Sequence, residues 1–243
     1  NYAIMIENNF IFVVLVTTTF QRVPNQSLRK VQFACTGNMI REDLILTAAH
    51  CFHFHNYSVD SVKIKLLTGE VRKATTIYLH PNYTERGFGY DLAIIRCPAT
   101  GLEDIPELPT EDFDGNKSCT VIGYGAVPSL DSRALEIKII EGKEYSVFLK
   151  MNGYIELFFI VKTPCRGDSG GPLLCDNKLY GILSQGSNDS CGQHNAYMLY
   201  INVHDNLNWI KPFFDMPIMS KSISNNYDQI ILILIITVPI LLF

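Results

Sequence analysis

No block of basic residues occurs in this chain. Lys and Arg number 20 against 24 acids, a formal charge of -4, and such a balance gives no reason to expect nucleic acid as a partner. Internal repeats and low-complexity tracts are missing as well. A membrane-spanning run is lacking too: the apolar tail Ile230 to Phe243 is broken at Thr237 and Pro239, and its fourteen residues fall short of the roughly 20 that a helix needs to cross a bilayer. Phe10 to Val16 is apolar but has neither a basic start nor a small-residue cleavage site, so it reads as a buried first strand rather than a signal-peptide core. His53 and His55 have no further ligand at plausible spacing and read as loop residues, so no metal is expected, and no cofactor either.

Seven cysteines are present, more than a cytosolic chain usually carries and ordinary for a secreted one. Their spacing alone does not give connectivity. Five glycosylation sequons stand at Asn25, Asn56, Asn82, Asn116 and Asn188, and in a secreted protein each implies a surface position. At 243 residues the chain has room for one or two domains.

The chemistry concentrates in Cys165-Arg166-Gly167-Asp168-Ser169-Gly170-Gly171-Pro172. Glycines around a serine permit positive φ and close approach of a substrate backbone, which makes Ser169 a candidate nucleophile; a Gly-rich surface turn is the plainer reading. A hydroxyl needs a general base, and the base needs a group that fixes its orientation. His50 in Thr47-Ala48-Ala49-His50-Cys51 and Asp91 at the head of Leu92-Ala93-Ile94-Ile95 can supply both, although singly they could be a core histidine and a strand-end cap. Their order along the chain is His, Asp, Ser, the chymotrypsin type rather than that of subtilisin or the α/β-hydrolases.

On these three motifs the sequence resembles the trypsin/chymotrypsin-like serine proteases, from about Phe10 to about Phe214. The resemblance implies an all-β fold, two packed antiparallel β-barrels with a short C-terminal helix over Asn202 to Phe214. It places a protease domain in residues 1–215, followed by a polar spacer and apolar tail in residues 216–243. It implies that His50 is general base and then general acid, that Asp91 orients it, that Ser169 attacks, and that the N–H groups of Gly167 and Ser169 form the oxyanion hole. It pairs Cys35 with Cys51, Cys119 with Cys175 and Cys165 with Cys191, leaving Cys97 over, as a free, partly buried thiol or, in the alternative, paired between chains. Asp168 matches the residue that receives a new N-terminal amine in activated members; no Ile-Val-Gly-Gly occurs here, and that tetrapeptide would fall at or before Asn1.

The specificity pocket implied by the family comprises Thr163, Ser184, Gly186 and Met198. Thr163 stands where trypsins carry Asp, Met198 where most members have Gly, and Gln185 where Trp is usual, so a preference for Arg or Lys is not expected. Two functions follow: a secreted serine endopeptidase of restricted, non-tryptic specificity, or a noncatalytic homologue that binds and regulates in an extracellular proteolytic cascade. The partners expected are a protein or peptide substrate, with an inhibitor or cascade partner as further candidates. The tail beyond a spacer holding Ser220, Ser222 and Ser224 resembles a glycolipid-anchor signal; an apolar extension or a truncated membrane anchor is the alternative.

Overall fold

The computed structural model describes residues 10–22, 30–85, 89–115, 117–125, 138–141, 145–151, 153–159, 163–186, 196–221 and 232–235. Short runs rich in Val, Ile and Leu form strands separated by polar turns, as β-branched residues favour a pleated, packed surface. The N-terminal half supplies β1 (Val13–Arg22), β2 (Lys30–Arg41), β3 (Leu44–Thr47), β4 (Tyr57–Lys65), β5 (Val71–Lys73), β6 (Thr76–Leu79) and β7 (Ala93–Arg96). The C-terminal half supplies β8 (Cys119–Gly123), β9 (Lys138–Glu141), β10 (Tyr145–Met151), β11 (Tyr154–Phe159), β12 (Pro172–Cys175), β13 (Lys178–Gly186) and β14 (Ala196–Asn202). A last strand, β15 (Leu232–Ile235), pairs in parallel with β6. The strands make two curled, otherwise antiparallel sheets, ordered β15-β6-β7-β3-β2-β1-β4-β5 and β10-β11-β14-β13-β12-β8-β9.

Each sheet has its own core, and a third apolar cluster joins them. Strand alternation decides which side chain goes where. In β3, Ile45 points into the first sheet's core with Val14, Val16 and Ile64, whereas Leu44 and Leu46 point to the junction. In β13 the alternation is broken at Tyr180, the extra residue where the β12–β13 register shifts, so Tyr180 and Leu183 both enter the second core beside Leu157 and Tyr200, while Leu179 and Ile182 face the junction. Double burial explains why these strands read as unbroken apolar runs. The junction is closed by a 3-10 turn, His204–Asn206, one α-helical turn α1 (Leu207–Ile210) and a second 3-10 turn, Lys211–Asp215; Trp209, Ile210 and Phe213 are its buried face.

Several local expectations shift. The first strand, expected over Phe10 to Val16, begins at Val13 and runs on to Arg22, with Thr18 and Thr19 buried within it. The stretch Val71 to Leu79, whose composition suits a single strand, is two strands, since at Ala74 the N–H turns to donate to Val62 O. The segment after the closing helix, expected to be loose, is tied down as far as Met219: Arg41 Nη1 donates to the carbonyls of Phe213, Phe214 and Met216. Arg96 Nη2 donates to Pro217 O. The rest of the tail proposed as an anchor signal, residues 222–231 and 236–243, lies outside the described residues. No described helix is long and apolar enough to cross a membrane.

His80 lies at the junction, stacked on Tyr90 with centroids 4.7 Å apart and 4.8 Å from Trp209. Burial lowers its pKa to about 4. Between the unfolded value near 6.5 and that folded value the unfolded chain binds a proton that the folded chain refuses, so stability falls as pH falls through this window. The expected loss reaches about 3 kcal/mol by pH 4. Denaturation of wild type and His80→Phe at pH 7 and pH 4 checks it: the variant should show an acid loss smaller by that amount, and equal losses would exclude His80 as the group.

Candidate active site

His50 lies in the 3-10 turn Ala49–Phe52 that follows β3, and the Cys35–Cys51 disulfide staples this turn to β2. Asp91 stands just ahead of β7 on the same side of the sheet. Its approach is constrained, because Tyr90 has φ 60°, a left-handed conformation uncommon for a residue with a side chain, and the stack on His80 holds it there. The two meet closely. His50 Nδ1 lies 2.7 Å from Asp91 Oδ2, and the backbone N–H of His50 donates to Oδ1 at 2.8 Å. A carboxylate can only accept, so Nδ1 carries the proton and Nε2 is left as the acceptor.

Ser184 completes the arrangement. The β13–β14 register shifts between Leu183 and Gln185, a bulge of the kind that re-aims a side chain, and Ser184 Oγ donates to Asp91 Oδ2 at 2.6 Å. The family resemblance put Ser184 in the specificity pocket; its buried hydroxyl is on Asp91. Burial works against both charges, but for His50 the hydrogen bond and negative charge of Asp91 prevail and raise its pKa above 6.5. For Asp91 burial likewise opposes ionisation, yet His50 and Ser184 hold its carboxyl below the usual range.

Ser169 and Gly167 share the wall of one cavity with His50. Gly167 has φ +101° and Gly170 φ +83°, and a Cβ on Gly170 would fall 2.2 Å from Thr36 O, so this loop needs glycine for both conformation and space. β2 docks the loop from the other sheet. Thr36 N–H donates to Ser169 O at 2.8 Å, and Asn38 Nδ2 donates to Gly170 O at 2.8 Å. The Thr36 hydroxyl donates to Gly167 O and accepts from Tyr124 N–H, both at 2.9 Å.

Thr36 and Asn38 were not among the expected site residues. Their signal in the sequence is faint: polar side chains two apart on one strand face, beside Cys35, both fully buried. Thr36→Val would leave a buried carbonyl and a buried N–H unpaired next to the expected oxyanion donors. The expected result is a kcat about tenfold lower at similar KM, less than the hundredfold or more that removing a donor itself costs. Thr36→Ser should recover most of it, and steady-state kinetics on the three proteins is the check.

The carboxylate of Asp168 is buried and already accepts two backbone N–H bonds, from Gly125 to Oδ1 and from Cys165 to Oδ2, each 2.6 Å. These donors compensate part of its charge without an N-terminal amine. Thr163 is buried. Met198 pairs with Gly186 in the β13–β14 ladder, and a Cβ on Gly186 would fall 2.6 Å from Met198 Sδ, so the thioether lies over that glycine. The Cys119–Cys175 bridge is present and Cys97 is free and buried. Cys165 is disulfide-bonded; its expected partner Cys191 lies outside the described residues, as do Asn25, Asn116 and Asn188. His53 and His55 both face Glu85.

The sequence pattern of the Trypsin family matches residues 17–210. Kallikrein 1-related peptidase b22 of Mus musculus is 30% identical over 215 residues, which cover 74% of this chain and 80% of that protein. Serine protease 1 of Homo sapiens is 28% identical over 209 residues, covering 78% and 83%. Among solved structures, neuropsin, a serine protease expressed in the limbic system of mouse brain, superposes with a TM-score of 0.64 over 85% of this chain and 95% of that one. At 23% identity this last likeness speaks for the fold.

Proposed function

The chain belongs to the trypsin family of serine proteases, and from that premise we propose that it is a secreted serine endopeptidase working through His50, Asp91 and Ser169 with restricted, non-tryptic specificity. The observation that carries this reading is the Asp91 carboxylate held by His50 N–H, His50 Nδ1 and Ser184 Oγ. That geometry leaves His50 Nε2 free to take the Ser169 proton as Oγ attacks the scissile carbonyl. The imidazolium so formed is stabilised by the buried Asp91. It then gives its proton to the leaving amine, and water repeats the sequence to release the acyl group. The N–H groups of Gly167 and Ser169 would stabilise the oxyanion. A binding-only homologue has no use for a buried carboxylate that raises the basicity of one imidazole.

Thr163 in place of an acid, and Met198 over Gly186, support an acyl-side pocket for small or medium aliphatic residues. A Lys or Arg there would lose its water without gaining a charged partner. The described disulfides and the exposed sequons at Asn56 and Asn82 support an extracellular route. Profiling the full chain against a peptide library, with Ser169→Ala as control, tests this reading. Cleavage after aliphatic residues by wild type alone is expected, and Met198→Gly combined with Thr163→Asp should move preference towards Arg and Lys. Dominant cleavage after Arg or Lys by wild type would contradict the pocket, and equal turnover by Ser169→Ala would contradict the nucleophile.

A further inference from the structure

A second cluster of chemistry-bearing side chains lies outside the triad, where the stretch between β7 and β8 meets the start of the closing helix. Asp112 comes from that stretch, and His204 and Asp205 come from the 3-10 turn His204–Asn206. Each offers one ligand atom, and the three atoms all lie within 4.8 Å of one another. We propose that Asp112, His204 and Asp205 bind a divalent transition-metal ion, Zn2+ before others, and that the ion ties the connection between the two sheets to the closing helix.

The donor set selects the metal. One imidazole nitrogen with two carboxylates suits Zn2+, whereas Ca2+ and Mg2+ favour oxygen ligands alone. His204 Nδ1 stands 3.9 Å from Asp205 Oδ1. That is too far for a hydrogen bond and close to the edge of roughly 3.4 Å in a tetrahedron whose metal–ligand bonds are about 2.1 Å. The two side chains are 32% and 35% exposed, which leaves room for the small rotation that closes the gap and for water in the fourth position. The frame beneath them is fixed. Asn202 is fully buried; its Nδ2 donates to Asp112 Oδ1 at 3.0 Å, and its Oδ1 accepts the His204 N–H at 3.0 Å. The Phe113 N–H donates to the same Asp112 oxygen at 2.8 Å. One buried amide thus aligns ligands from two parts of the chain, as outer-shell partners do in metal sites. Sequence spacing hides the set, because Asp112 and Asn202 are 90 positions apart.

Zinc titration of the metal-stripped full chain tests this, and the readout does not depend on peptidase activity. The titration is run on wild type and on a chain carrying His53→Gln and His55→Gln, because those two histidines face Glu85 and are themselves able to hold zinc. In the second chain calorimetry should show one Zn2+ bound with a micromolar Kd, and Ca2+ should bind at least tenfold more weakly. His204→Gln and Asp112→Asn should each weaken zinc at least tenfold. Zinc at about a hundred times Kd should raise the thermal midpoint by about 5–10 °C, and should not do so at the same concentration in His204→Gln. If His204→Gln does not fold, Asp205→Asn takes its place under the same tenfold criterion. No uptake at millimolar zinc, or uptake that the variants leave unchanged, overturns the proposal; equal affinity for Ca2+ does so too, because it marks an acidic patch in which the imidazole takes no part.

Discussion

Asp91→Asn is expected to lower kcat about ten-thousandfold while the chain stays folded. The carboxylate does two things that an amide does not: it fixes the Nδ1–H tautomer of His50 at 2.7 Å, and its charge favours the imidazolium formed during attack. The amide can present its NH2 to Nδ1, which leaves Nε2 with the proton and unable to act as base. The pH profile supplies the second readout. Neutral His50 is the working form, and its raised pKa puts the acid limb of kcat/KM above 6.5, the ordinary value. In Asp91→Asn that limb should move to lower pH.

The same pair bears on stability with the opposite trend. Asp91, depressed on folding, contributes above its unfolded value and loses that contribution as pH falls through its lower folded value. His50, raised on folding, contributes fully below about 6.5 and loses that contribution as pH rises through its higher folded value. Activity therefore increases with pH where the pair's own stabilisation fades.

Asp43→Ala is expected to cost about 3–5 kcal/mol of folding stability, the usual result of removing one partner from a buried charge cluster. Asp43 is fully buried. Its carboxylate takes Arg41 Nε at 2.5 Å and Arg41 Nη2 at 3.0 Å, accepts the Met219 N–H at 3.0 Å, and lies 3.6 Å from Arg96 Nε. Both arginines also hold carbonyls of the segment after the closing helix. Removing the carboxylate leaves the Arg41 and Arg96 guanidinium groups without their shared counter-charge and takes the acceptor from the Met219 N–H. Urea denaturation would report the loss, and limited proteolysis should show new cleavage near residues 216–221. An unchanged midpoint would mean that Arg41 and Arg96 are satisfied without it.

The parts of this fold that could be read from the sequence are those set by neighbours in the chain. Ser169 stands among its glycines, His50 among small residues beside Cys51, and Asp91 at the head of an apolar strand. The doubly buried strands at the junction announce themselves in the same way, as unbroken runs such as Leu92 to Ile95. What escaped was set by distant partners. Thr36 looks like any strand threonine until Gly167, 131 positions away, supplies its acceptor. Arg41 looks like a surface end of β2 until the chain returns 175 positions later to place Met216 O against it. Ser184 needed a bulge to turn its hydroxyl to Asp91, and no residue type announces that bulge. β10 has no sequence signal of its own, because Tyr145 to Met151 carries polar residues without a clean alternation, and its partner β11 sets the register.

Labelling of the folded full chain by a serine-directed phosphonate tests the central claim most directly. The account predicts one covalent adduct, mapped by mass spectrometry to Ser169, formed quickly in wild type, at least a thousandfold more slowly in Asp91→Asn, and not at all in Ser169→Ala. Folded wild-type protein that takes no label, or that takes it at the rate of Asp91→Asn, would contradict the assignment of His50, Asp91 and Ser169 as a working catalytic unit.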